Sequence, residues 1–103
     1  MTIEILYTDD CPNRQLAEDR VREALTGLDV RAEVVLINVN DERIAKKVRF
    51  PGSPTIRVDG EDVAPSDNDG SYHLRCRVYP TSSGLAGAPD KDVIRAAIQR
   101  RAA

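Results

Sequence analysis

The sequence predicts one mixed α/β domain, residues 1–103, with a four-stranded mixed sheet flanked by three helices in the order β-α-β-α-β-β-α. Three observations carry this. An alternating apolar segment at 2–7 leads into a stretch of helical period, and that stretch into a β-branched run at 31–39. Strand, helix and strand in that order form a parallel pair with a right-handed crossover. The second half then carries β segments with no helix between them before a closing amphipathic helix, which adds antiparallel pairing. A chain of 103 residues suits one compact core and not two.

In "TIEILY", Ile3, Ile5 and Tyr7 alternate with Glu4 and Leu6, the pattern of a mostly buried strand, and "TDD" ends it. From Pro12 onward Ala17, Val21, Ala24, Leu25 and Leu28 recur at helical spacing, and Gly27 stands where a C-cap glycine belongs. "RAEVVLINV" is apolar almost throughout, as a parallel strand covered on both faces would be. Asn40 or Asp41 then caps a short helix carrying Ile44, Ala45 and Val48. "RFPGSPT" is a breaker cluster, and "TIRVDGEDV" reads as a hairpin turning at Asp59-Gly60. "APSDNDGSYH" is a polar loop without a period. "LRCRVY" alternates as a strand, which puts Leu74, Cys76 and Val78 on one face and Arg75, Arg77 and Tyr79 on the other. "PTSSGLAGAP" is a second loop. "DKDVIRAAIQRR" closes the chain as a helix: Asp90 caps it, Val93, Ile94, Ala97 and Ile98 form its stripe, and Arg100 and Arg101 complement its dipole.

Composition excludes several classes of function. Hydrophobic residues make up 41% and charged residues 31%, with a net charge of −2 and scattered Lys and Arg, which is no nucleic-acid footprint. No apolar stretch is long enough to span a membrane, and the start "MTIEILYTDD" lacks the basic and apolar regions of a signal peptide. A cytoplasmic, reducing location is the expectation. In that setting two cysteines are free, catalytic or metal-binding rather than a structural disulfide.

The chemistry gathers at Cys11. Pro12 suits the first helical position, which makes Cys11 the expected N-cap, with the N–H groups of Asn13 and Arg14 turned toward its sulfur. The helix dipole and the Arg14 guanidinium favour thiolate over thiol at that spot, and the thiolate is the nucleophile. Asp9 and Asp10 oppose the effect. Cys76 has two readings, a small core side chain beside Leu74 and Val78 or an accessible second thiol. "DNDG" at 67–70 lacks the ligand pattern of a calcium loop, and His73 has no acid or cysteine at ligand spacing, so no metal site is expected.

With Cys11-Pro12 after the first strand and Ser53-Pro54-Thr55 before the third, the chain resembles the thioredoxin-like superfamily. "SGLAGAPDKD" leads into the last helix much as a glycine-containing segment does there. The resemblance covers the chain except for an apparent insertion from about Ala64 to His73. More narrowly, the chain is similar to small bacterial thioredoxin-like proteins with a "CPN" motif and a downstream "CR-Y", a group labelled alkylmercury-lyase-like. The resemblance implies a nucleophilic Cys11 and a cis Ser53–Pro54 bond lying against it. It also implies that Ser53, Pro54 and Thr55 bind substrate, with the Ser53 backbone pairing to it. Arg14 stands where a dithiol thioredoxin carries its second cysteine, so a bridge across the first helical turn is ruled out. What remains is a monothiol resolved by a low-molecular-weight thiol or a second protein, or a pair with Cys76.

The expected function is therefore thiol–disulfide exchange without a cofactor, acting on a disulfide-containing protein or a low-molecular-weight thiol. Neither nucleic acid nor membrane is an expected partner, and the expected state is a monomer or weak dimer. The alternatives are a thiol protein that handles a soft metal, organomercury or metalloid, and a binding module that keeps the fold without turnover.

Overall fold

A computed structural model describes residues 1–65 and 71–102; the polar "DNDG" stretch at 67–70 lies outside the described residues. The chain forms a mixed sheet in the order β2-β1-β3-β4. Strand β1 (Thr2–Tyr7) is central, parallel to β2 (Glu33–Asn38) and antiparallel to β3 (Thr55–Val58). The edge strand β4 (Glu61–Asp62) pairs antiparallel with β3. The β3–β4 turn is Asp59-Gly60, with φ of 48° and 89°, the two positive values that a two-residue hairpin with the right twist requires.

Three helices cover the two faces. Helices α1 (Arg14–Leu25) and α3 (Lys91–Ala102) lie on one side, where Ala17, Val21, Ala24, Ile94 and Ile98 pack on Ile3, Ile5, Ile56 and Val58. Helix α2 (Glu42–Lys47) covers the other side, where Ala45 joins Leu6, Val39 and Phe50. Alternation along β1 divides the two cores: Ile3 and Ile5 face one and Leu6 the other. Asp41 caps α2, its Oδ1 accepting the Ile44 N–H at 2.8 Å. Helix α1 ends at Thr26 and turns out through Gly27 at φ +81°.

The structure departs from the sequence expectation in three elements. Strand β2 is an edge strand, and Val34 and Leu36, which pair with Ile3 and Ile5, reach beyond the helical cover and stay exposed. A continuous apolar run therefore does not mark a strand covered on both faces here. Residues 74–79 do not add a strand to the main sheet. They cross beside the Ser53 loop, to which a parallel bridge between Ser53 and Cys76 joins them. The segment expected as a second loop instead holds a small hairpin, β5 (Tyr79–Thr81) and β6 (Gly84–Ala86), turning at Ser82-Ser83.

Candidate functional site

Three stretches of the chain converge beyond one end of β1. The first is the turn that follows β1. Its Thr8 carbonyl accepts the Cys11 N–H at 3.1 Å, and Cys11 is half-buried. Helix α1 begins only at Arg14, with Asn13 as its N-cap and the Asn13 carbonyl accepting the Ala17 N–H at 3.0 Å. Cys11 therefore stands two residues outside the cap, which corrects the expectation that it is the N-cap itself. The reason lies in Pro12 and Asn13, which form a turn instead of the first helical residues. The Asn13 side chain makes no cap hydrogen bond and lies over Gly87, where any Cβ would overlap its amide. The Arg14 guanidinium has other partners than the thiol: it sits 5.2 Å from the Tyr7 ring centroid and 4.0 Å from Glu18.

The second stretch is Ser53-Pro54-Thr55, all fully buried, with the Ser53–Pro54 bond cis. Every polar group of Ser53 is used. Its Oγ accepts the Thr8 N–H at 3.1 Å, its N–H donates to the Arg75 carbonyl at 2.7 Å, and its carbonyl accepts the Arg77 N–H at 2.9 Å. The Thr55 hydroxyl donates to the Gly52 carbonyl at 2.6 Å. Gly52 has φ +144°, and a Cβ there would stand 3.1 Å from the Arg77 Cβ and 3.4 Å from the carbonyls of Arg75 and Cys76. Only a glycine lets the third stretch approach so closely.

That third stretch, residues 74–79, inverts the expected faces. Arg77 and Tyr79 are buried at 8% and 2% exposure, while Leu74, Cys76 and Val78 are exposed. The reading of Cys76 as a core cysteine is corrected. The inversion follows from what Arg77 finds inside. Its Nη1 donates to Asp62 at 2.7 Å and to the Thr55 hydroxyl at 3.1 Å, its Nη2 donates to the Ala64 carbonyl, and its plane lies 4.6 Å from the Tyr79 ring centroid. A guanidinium that is paired, hydrogen-bonded and stacked can be buried where an unpaired one cannot. The Tyr79 hydroxyl donates to the Pro54 carbonyl. Burial pushes the Tyr79 phenol well above its ordinary value. The Arg77 charge opposes that push, while negative charge at Asp62 and Cys11 adds to it.

Upstream, the segment is tied down by Arg75, whose Nε and Nη2 donate to the carbonyls of Pro51 and Ser71 at 2.9 and 3.1 Å. Glu42 accepts the Leu74 N–H at 3.4 Å, and the exposed His73 ring lies between Glu42 and Ser71. Between Arg75-Cys76 and the turn at Thr8–Asp10 runs a cleft of about 330 Å³, also lined by Val39, Asn40 and Leu74. Cys76 borders that cleft, and the turn on its far side leads directly to Cys11.

Of the residues singled out from sequence, Ser53, Pro54, Thr55 and Cys76 lie on adjoining segments and Cys11 is linked to them through Thr8, while Asn13 and Arg14 are occupied elsewhere. Sequence reasoning missed Arg77, Tyr79, Asp62 and Gly52. The period-2 pattern of "RCRVY" already separated Arg77 and Tyr79 from Cys76, but polarity alone assigned the arginine face to solvent. Among the described residues no group of three or more His, Cys, Asp or Glu is placed to hold a metal ion, and no helix is long and apolar enough to cross a membrane. No family model matches the chain, and neither a curated protein nor a solved structure matches it.

Proposed function

We propose that the chain is a thioredoxin-fold thiol–disulfide oxidoreductase of atypical two-cysteine type, with Cys11 as nucleophile and Cys76 as its second thiol. One observation carries this reading: two cysteines 65 positions apart are drawn to one hydrogen-bonded neighbourhood. The Cys11 N–H bonds Thr8, the Thr8 N–H bonds the Ser53 hydroxyl, and Ser53 is bridged through its backbone to the segment carrying Cys76. The exposure of Cys76 favours the pair over a monothiol mechanism. The sheet order β2-β1-β3-β4, with Cys11 after β1 and Pro54 before β3, is compatible with the thioredoxin-like arrangement.

The chemistry is exchange between sulfurs. A Cys11 thiolate attacks one sulfur of a substrate disulfide, the S–S bond breaks, and the departing thiolate takes up a proton. The Cys76 thiolate then attacks the Cys11 sulfur of the mixed disulfide, the second substrate thiol leaves, and a Cys11–Cys76 bond forms. Two electrons pass from the protein dithiol to the substrate. The resemblance gives the Ser53 backbone the task of pairing with substrate, but Arg75 and Arg77 already occupy both its groups. A low-molecular-weight disulfide, which needs no strand pairing, fits this conformation better than an extended polypeptide.

Treatment with one equivalent of peroxide, followed by non-reducing peptide mapping, tests the reading. The expected product is a Cys11–Cys76 peptide in the wild type, with a Cys11 sulfenic acid or adduct in Cys76→Ser. If neither cysteine is modified while the fold survives, the redox reading fails and a binding module takes its place.

A further inference from the structure

The proposed exchange needs the Cys76 sulfur to be held where Cys11 can reach it, yet Cys76 is exposed and is not part of either buried core. Its neighbour does the fixing. Arg77 is the one charged side chain among the buried residues of the described chain. Its guanidinium spans three elements: the edge strand through Asp62, the start of β3 through Thr55, and the Ala64 carbonyl beyond β4. Its stack on Tyr79 adds a fourth anchor, and Tyr79 in turn binds the Pro54 carbonyl. The backbone of the same residue donates to Ser53. Directly downstream, Val78 is 61% exposed and belongs to neither core.

We propose that Arg77 is the positioning residue of the two-thiol site: by plugging into Asp62, Thr55 and Ala64 it seats the Arg75–Arg77 segment on Ser53 and sets the separation between the Cys76 and Cys11 sulfurs. This rests on the two-cysteine reading and adds to it a device that controls how readily the internal disulfide forms. Seated, the two thiols react as an intramolecular pair. Unseated, the segment retains its backbone bonds to Ser53, its upstream ties and the Tyr79 hydroxyl on Pro54, but nothing holds Cys76 at a set distance from Cys11. Lysine cannot replace this arginine, because an ammonium can meet Asp62 but cannot also reach Thr55 and Ala64 in a fixed plane.

The test is the effective molarity of the Cys11–Cys76 pair, measured by equilibration with reduced and oxidised glutathione and quantified by non-reducing peptide mapping. It compares wild type with Arg77→Lys and Asp62→Asn. The second variant keeps the shape of the pocket and removes only its charge, so it serves if Arg77→Lys does not fold. The expected result is a fall on the order of 10- to 100-fold in effective molarity in the folded variants, with the alkylation rate of the exposed Cys76 unchanged. A variant with a lower melting temperature but wild-type effective molarity would assign Arg77 a structural role only and overturn the proposal. A wild type that gives glutathione adducts on its cysteines but no internal bridge would overturn the two-cysteine reading and this proposal with it, while leaving thiol exchange standing. If neither cysteine exchanges with glutathione, thiol exchange itself fails.

Discussion

At residue scale the most informative feature is the pair of faces on residues 74–79. Alternation separated Arg75, Arg77 and Tyr79 from Leu74, Cys76 and Val78; the structure turns Arg77 and Tyr79 inward and leaves Cys76 and Val78 outside, while Arg75 stays exposed beside Leu74. Hydrophobicity sends Val78 inward and Arg77 outward only when no polar partner waits in the interior. Here Asp62, Thr55 and the Ala64 carbonyl wait there, and none of them adjoins Arg77 in sequence, so the exchange was not legible from the segment alone. The two assignments predict opposite mutational results. Val78→Ser is expected to change stability by less than about 0.5 kcal/mol, as at an ordinary surface site. Arg77→Met leaves the Asp62 carboxylate, 19% exposed, without its partner and is expected to cost on the order of 3 kcal/mol. Urea denaturation of both variants decides between the assignments; a large loss for Val78→Ser with a small one for Arg77→Met would restore the face read from hydrophobicity.

At the scale of elements, turn chemistry was the most legible signal. Asp59-Gly60 turns the β3–β4 hairpin at the expected position, and Asp41, one of two candidates, caps α2. The start of α1 was less legible. Proline at position 12 suits a first helical residue, but Asn13 and the bare backbone of Gly87 compete for that stretch, and the helix starts later. The β3–β4 turn also carries a charge that links stability to pH. The Thr2 N–H bonds the Asp59 carboxylate at 2.8 Å and holds its pKa below the ordinary value, against a smaller effect of burial and with help from Arg101. Because the folded pKa lies below the unfolded one, the contribution is present above the unfolded value of about 3.9 and is lost as pH falls through the folded value. Asp59→Asn is therefore expected to flatten the acid limb of the stability–pH curve while leaving its slope above about pH 6 unchanged. An unchanged acid limb would show that the Thr2 contact does not couple to folding.

At the scale of the whole molecule, the order of elements through the β3–β4 hairpin, the helices on both faces and the closing helix were legible, because each rests on local period and breakers. Two features rest on long-range pairing and were not. One is the edge position of β2, which pairs with β1 alone and leaves Val34 and Leu36 exposed. The other is the passage of residues 74–79 beside Ser53, which depends on a glycine at position 52 that leaves room for a second backbone. That passage puts the segment carrying Cys76 beside Ser53, whose hydroxyl bonds the turn that leads to Cys11; the proposed function takes the two cysteines to act as a pair. Intact-mass analysis and thiol titration after equilibration with glutathione disulfide test whether they act as a pair. A protein about two mass units lighter, with no free thiol and no adduct, and with two glutathione molecules released per chain, is the expected result. A protein carrying glutathione on both Cys11 and Cys76, with no bond between them, would contradict it.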